Sequence, residues 1–113
     1  MKPTTDQRPW GEERCLTQNE ISTVKLLYIK AGESLSLQSH HHRDEFWKVI
    51  SGNPETVVGE KSYNNKAGDE IIVPRETAHR ISAPQDDVVI LEISTGDFDE
   101  HDEVRLEDKY NRS

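Results

Sequence analysis

Four side chains that could hold a metal ion lie in or beside two short β-like segments of the sequence. Residues 35–40 follow a period of two, which is typical of a strand with two different faces and places Gln38 and His40 on the same face. Glu45 follows after a short break, and His79 begins a later β-like segment. Two imidazoles, one carboxylate and one amide oxygen suit a single divalent ion, Zn²⁺ first, with Mn²⁺, Fe²⁺, Co²⁺ or Ni²⁺ as alternatives.

Strands must position these side chains, because the sequence contains no candidate for a long helix. Eight or so short β-rich segments are separated by Gly, Pro and Asn turns, and Gly59-Glu60 between residues 56–58 and 61–63 predicts a tight hairpin. Many short strands without a long helix predict an all-β sandwich or small barrel.

The chain divides into an arm and one domain. Residues 1–20 are polar and carry two prolines and a glycine, which predicts an extended N-terminal arm. Residues 21–113 then form the barrel, with an acidic C-terminal segment that could end in a final strand or in one helical turn. A length of 113 residues suits one compact domain and not two.

Composition narrows the classes of partner. The formal net charge is −8, from 22 acidic and 14 basic residues, and no basic run is present. This disfavours nucleic acid and anionic membrane surfaces as partners. No secretory signal and no apolar run of roughly 18 residues is found, and Cys15 is the single cysteine, so a reducing cytoplasm is expected. Since only 32% of residues are hydrophobic, a homodimer interface is expected to help bury apolar surface.

The spacing of these residues resembles the two sequence signatures of the cupin superfamily. The first signature is matched by Gly32, Gln38, His40, Glu45 and Gly52, with Gln38 in the place of the first histidine. The second is matched by Gly68, Pro74 and His79, with Glu76 in the place of a glycine and Ala83 in the place of an asparagine. The resemblance implies a single cupin barrel, that is, a double-stranded β-helix or jelly roll.

Longer segments resemble one branch of that superfamily, the type II phosphomannose isomerases. The segments that carry the resemblance are residues 8–11, 35–47, 72–80 and 104–110. In that family the cupin commonly forms the isomerase part of a bifunctional enzyme with a mannose-1-phosphate guanylyltransferase. The resemblance implies a metal-dependent aldose–ketose isomerase that interconverts mannose 6-phosphate and fructose 6-phosphate. It also agrees with Gln38 as a ligand, because the wider phosphomannose isomerases use a Gln-His-Glu-His set.

Such an isomerase needs groups that move a proton and groups that hold a phosphate. The resemblance places Arg80 near the reacting carbons, where it would stabilise an enediolate. His42, which follows His40 on the same face if the strand persists, could shuttle protons, and Glu92 is a candidate base if it faces inward. The candidate phosphate ligands are Arg43, Lys48 and Arg105.

Two other functions fit the same residues. One is a cupin that binds a sugar or sugar phosphate without turnover. The other is a different metal-dependent cupin enzyme, such as another sugar isomerase, an epimerase or a dioxygenase. Gln38 disfavours the dioxygenase, because an additional histidine is the commoner ligand for iron and oxygen chemistry.

Overall fold

The computed structural model describes residues 2–99 and 101–107, and within them it contains eleven strands and no helix. The all-β prediction is therefore confirmed. No helix in this part of the chain is long and apolar enough to cross a membrane. The strands in chain order are β1 (Thr4–Arg8), β2 (Gly11–Cys15), β3 (Ser22–Ile29), β4 (Leu37–His40), β5 (Arg43–Ser51), β6 (Glu55–Val58), β7 (Lys61–Asn64), β8 (Glu70–Val73), β9 (His79–Ser82), β10 (Val88–Gly96) and β11 (Glu103–Glu107).

Two antiparallel sheets form the body of the barrel. One has the strand order β3-β10-β5-β8, and the other has the order β11-β4-β9-β6-β7. Because successive side chains of a strand point to opposite faces, every second residue faces the interior. The largest buried apolar side chains include Trp47, Val49, Ile81 and Ile90. Each such side chain contributes roughly 1.5–3 kcal/mol when it leaves water, so this interior fixes the strands that carry the polar site.

The hairpin predicted at Gly59-Glu60 is confirmed. Strands β6 and β7 pair in antiparallel register from Glu55 opposite Asn64 to Val58 opposite Lys61. Gly59 has φ +64°, a left-handed conformation that glycine adopts without a steric penalty.

The segment expected as an extended arm contains a hairpin instead of a single extended stretch. Strands β1 and β2 pair with each other, from Thr4 opposite Cys15 to Arg8 opposite Gly11, as a separate two-stranded sheet. An ion pair between Arg14 and Glu70 connects this hairpin to β8. Its residues are almost all polar and exposed, so no alternation of apolar residues marked the two strands in the sequence.

Within the described residues, the acidic C-terminal segment forms a strand, which is one of the two alternatives left open by the sequence. Strand β11 pairs with β4, with Val104 opposite Ser39 and Arg105 opposite Gln38. Residues 108–113, which include the end of the matched segment 104–110, lie outside the described residues.

In the turn after Pro74, the backbone of Glu76 has a conformation that is usually adopted by glycine. Glu76 has φ +62° and so lies in the left-handed region, where a residue with a side chain is uncommon. Its backbone N–H donates a hydrogen bond to the carbonyl oxygen of His40. The turn between β8 and β9 is thereby joined to the end of β4, at a residue predicted to bind metal.

The outer face of the four-stranded sheet exposes apolar side chains. Val24, Leu26 and Tyr28 on β3 are 60%, 52% and 73% exposed. The expected homodimer stays a prediction.

Replacement of Gly52 by alanine is expected to destabilise the protein more than the same change at Gly59. Gly52 has φ +89°, and a Cβ atom there would overlap the backbone oxygen of Asp87 and lie 2.9 Å from a methyl group of Val88. At Gly59 the nearest atom would be 3.7 Å away, in ordinary contact. Gly52→Ala should cost about 3 kcal/mol or more and Gly59→Ala about 1–2 kcal/mol in urea unfolding. Equal losses would contradict this account of Gly52.

Candidate metal centre

Three potential metal ligands from three strands converge inside the barrel. His40 lies on β4, Glu45 on β5 and His79 on β9, and all three side chains are buried. His40 Nε2 is 3.1 Å from Glu45 Oε2, and His79 Nε2 is 3.8 Å from Glu45 Oε1. One ligand atom from each residue lies within 4.8 Å of the others, so the cluster can hold one metal ion.

Strand register explains why residues far apart in sequence meet here. Gln38 on β4 is the direct partner of His79 on β9, and direct partners in a sheet project to the same face. Gln38 lines the same cavity as Glu45 and His79. Its amide nitrogen donates to Ser36 Oγ at 3.2 Å, which leaves the amide oxygen as the atom that can bind a metal.

Backbone carbonyls orient both imidazoles. His40 Nδ1 lies 3.2 Å from the carbonyl oxygen of Asp102, and His79 Nδ1 lies 2.9 Å from that of Thr77. A carbonyl oxygen only accepts hydrogen bonds, so each Nδ1 carries a hydrogen and each Nε2 is directed at Glu45. Metal-binding histidines in proteins are held in the same way, through an outer partner on the second ring nitrogen.

The electrostatics of the cluster favour the protonation states that bind metal. Burial would raise the pKa of Glu45, but its close contacts with His40, His79 and Trp47 lower the pKa to about 2. The indole nitrogen of Trp47 donates to Glu45 Oε1 at 2.9 Å. Burial lowers the pKa of His79 by more than the charge of Glu45 raises it. An ionised carboxylate and a neutral imidazole therefore face each other, and this set fits a divalent ion.

The cluster opens onto a cavity of about 290 Å³ with charged walls. The basic residues that line it are Lys25, Arg43, Arg80 and Arg105, and the acidic residues are Glu45, Glu92 and Glu103. A cavity of this kind, with basic side chains beside three potential metal ligands, suits a small polar, anionic ligand.

Glu92 lies on β10 and lines this cavity, opposite Trp47 in the strand register. Burial and the negative charge of the adjacent Glu45 raise the pKa of Glu92 to about 8. Its carboxyl group therefore differs from that of Glu45, which stays ionised. Two neighbouring carboxyl groups with separated pKa values are typical of acid–base sites.

Three of the predicted basic residues reach the cavity. Arg105 reaches it because the register of β11 with β4 places Arg105 opposite Gln38. Arg105 also forms an ion pair with Glu103 at 2.6 Å. Arg80 lines the cavity even though it is adjacent to the inward-facing His79. Arg43 is 5% exposed and contacts the metal cluster itself, at His40 and Glu45.

Two predicted site residues are not brought to the cavity. Strand β4 ends at His40, so His42 lies in an exposed bend, where its backbone N–H donates to Asp102. Lys48 follows the inward-facing Trp47 on β5 and therefore points to the outer face of the sheet, with its Nζ 3.7 Å from Glu70.

Sequence reasoning missed Lys25 and Phe98. The ammonium of Lys25 and the guanidinium of Arg43 stack on the ring of Phe98, at 4.2 and 4.3 Å from its centroid. Lys25 lies on the same face of β3 as Leu27 and Ile29, so an alternating pattern in the sequence could have predicted that its side chain points inward. The pattern was ambiguous because the opposite phase of β3 is apolar as well.

Comparison with known proteins decides the family. The family model described as "Mannose-6-phosphate isomerase C-terminal" matches residues 2–108. The chain belongs to this family. The resemblance to type II phosphomannose isomerases is thereby confirmed at the level of the family.

Two relatives of this family member show how the chain relates to longer proteins. Mannose-1-phosphate guanylyltransferase 2 of Escherichia coli O157:H7 is 36% identical over 105 residues, which are 91% of this chain and 22% of that protein. The alginate biosynthesis protein AlgA of Pseudomonas aeruginosa is 33% identical over 108 residues, which are 94% of this chain and 22% of that protein. The chain thus spans about a fifth of the length of these relatives.

Solved structures confirm the cupin fold. A cupin protein from Bacteroides fragilis has a TM-score of 0.62 and 22% identity, with 66% of this chain and 65% of that chain covered. A protein with a double-stranded β-helix domain from Klebsiella pneumoniae has a TM-score of 0.63 and 24% identity, with 72% and 71% covered.

Alanine variants of the three potential ligands should bind metal more weakly, while an alanine variant of a neighbouring histidine should bind it as wild type does. We expect about one zinc ion per wild-type chain in a titration against a chromophoric chelator. Loss of an outer partner of a metal ligand costs about 10- to 100-fold in affinity, so His40→Ala, Glu45→Ala and His79→Ala should each cost more than about 100-fold. His41→Ala is the matched control, because His41 is exposed and adjacent to His40. Equal affinities for His41→Ala and His40→Ala would contradict the assigned cluster.

Proposed function

We propose that the chain is a metal-dependent aldose–ketose isomerase that interconverts mannose 6-phosphate and fructose 6-phosphate. The observation that carries the proposal is the placement of the Glu92 carboxyl group beside the metal cluster, in one cavity with basic side chains. Membership of the family supports the same reaction. Zn²⁺ is the proposed ion and the cytoplasm is the proposed compartment.

The reaction moves a proton between C2 and C1 of the open-chain sugar through an enediol. It therefore needs a base at the carbon-bound proton, a donor at the oxygens and a site for the phosphate. A bound divalent ion would supply Lewis acidity towards the oxygens at C1 and C2.

Glu92 is the proposed base. In the direction of fructose 6-phosphate, its carboxylate would take the proton from C2 and return it to C1, while a proton passes from the oxygen at C2 to the oxygen at C1. Glu92 faces the cavity from β10, in contact with Glu45. Arg80, on the wall beside His79, would donate hydrogen bonds to the negative charge that develops on the oxygens.

Arg105 and Lys25 are the proposed phosphate ligands. Both line the cavity, on β11 and β3 respectively, at the edge strands of the two sheets. The planar guanidinium of Arg105 can bind two phosphate oxygens at once, and the ammonium of Lys25 adds a second positive charge. The outward position of Lys48 and the exposed bend of His42 leave both residues outside this proposed mechanism.

The decisive test is a coupled assay of mannose 6-phosphate isomerisation by the purified protein. Turnover should be abolished by EDTA and restored by Zn²⁺. Glu92→Gln should keep its zinc but lose roughly 10²–10⁴-fold in kcat, the usual contribution of a positioned general base. Lys48→Gln, a change of a charged residue on the outer face, is the control and should leave kcat unchanged.

Two results would contradict the proposal. Full turnover by metal-free protein would exclude the metal-dependent mechanism. Tight binding of the sugar phosphate with no turnover by zinc-loaded wild type would show a binding protein.

A further inference from the structure

The buried guanidinium of Arg43 lies among the side chains that could hold the metal ion. Its Nη2 is 3.1 Å from His40 Nε2, and its Nε is 3.5 Å from Glu45 Oε2. The side chain is 6% exposed, and the side chains of His40 and Glu45 are 3% and 4% exposed. A permanent cation thus contacts two of the three side chains that could hold a metal.

The contact between Arg43 and His40 excludes metal binding at His40 Nε2. A guanidinium is always protonated and only donates hydrogen bonds, so its contact with His40 uses the lone pair of Nε2. The imidazole has one such lone pair, because Nδ1 is engaged with the carbonyl oxygen of Asp102. A metal ion at Nε2 must therefore replace Arg43 there.

Arg43 also has partners that do not bind metal. Its Nη1 donates to the carbonyl oxygen of Asp99 at 3.3 Å, and its Cζ lies 4.3 Å from the centroid of the Phe98 ring. The segment between β10 and β11 therefore offers the guanidinium a position beside the cluster.

We propose that Arg43 is a built-in competitor of the metal, which lowers metal affinity and holds the ligands together by its own charge. The inference rests on the metal centre of the proposed function and not on the isomerase reaction. It gives Arg43 a different role from the phosphate contact expected from the sequence.

The test compares zinc affinity in wild type, Arg43→Met and Arg75→Met by competition with a chromophoric chelator. Arg43→Met should bind Zn²⁺ at least about tenfold more tightly, because repulsion between a guanidinium and a divalent ion a few ångströms away is worth that factor even at a water-like dielectric constant. Arg75→Met is the matched control, since Arg75 is also an arginine but lies in an exposed position, where it pairs with Asp44. Its affinity should stay within about threefold of wild type, because exposed charges are screened.

Thermal unfolding gives a second readout. In EDTA, Arg43→Met should have a lower Tm than wild type, because the cluster has lost its cation. Zinc should raise the Tm of Arg43→Met by more than it raises that of wild type, since tighter binding to the folded state stabilises it more.

Unchanged or weaker zinc binding by Arg43→Met would overturn the inference and make Arg43 a residue that positions the ligands. If Arg43→Met does not fold in EDTA, Arg43→Gln replaces it, because its amide is uncharged and can still donate hydrogen bonds. Its zinc affinity should also exceed that of wild type, and equal or weaker binding would again overturn the inference. Failure of wild type to bind zinc would overturn the metal centre itself, whatever the result of the isomerase assay.

Discussion

The buried carboxylate of Glu45, which lies beside two imidazoles, requires a positive charge nearby, and the rest of the structure is arranged around this requirement. A carboxylate held ionised by its surroundings faces His40 and His79 in a buried site. Burial of uncompensated charge is costly, so the arrangement is stable only with a cation among these groups. A metal ion, a shared proton or the guanidinium of Arg43 can each supply it.

The rest of the fold serves to hold these groups together. Apolar side chains fix the two sheets, and the register of β4 with β9 and β11 brings Gln38 opposite both His79 and Arg105. The end of β4 is secured from two sides. The turn at Glu76 donates to the carbonyl oxygen of His40, and the carboxylate of Asp102 accepts from the backbone N–H groups of His41 and His42.

Much of the fold could be predicted from the sequence, because short segments indicate their own structure. The cupin signatures also indicated the three residues that converge in the barrel, His40, Glu45 and His79. Alternation over residues 35–40 and the turn at Gly59-Glu60 each indicate structure within a few residues. The hairpin β1–β2 could not be predicted in this way, since it buries almost no apolar surface and so leaves no alternation. Arg14 joins that hairpin to the barrel through Glu70, a contact between residues 56 positions apart.

Within the site, sequence reasoning misplaced His42 because the end of β4 depends on a contact between distant segments. His42 would share the face of His40 if β4 continued, but Asp102, 60 residues later in the chain, accepts hydrogen bonds at the bend where the strand ends. The prediction for Lys48 used only its positive charge, which suggested a phosphate contact. Its position next to the inward-facing Trp47 directs its side chain to the outer face of the sheet. Family membership adds the reaction that these groups are proposed to perform, which the residues by themselves left open.

X-ray absorption spectroscopy of the zinc-loaded protein tests the central claim most directly. The convergence of His40, Glu45 and His79 predicts an inner shell of nitrogen and oxygen only, with outer-shell scattering from two imidazole rings. A sulfur ligand from Cys15, or scattering that requires fewer than two imidazoles, would contradict the metal centre described above.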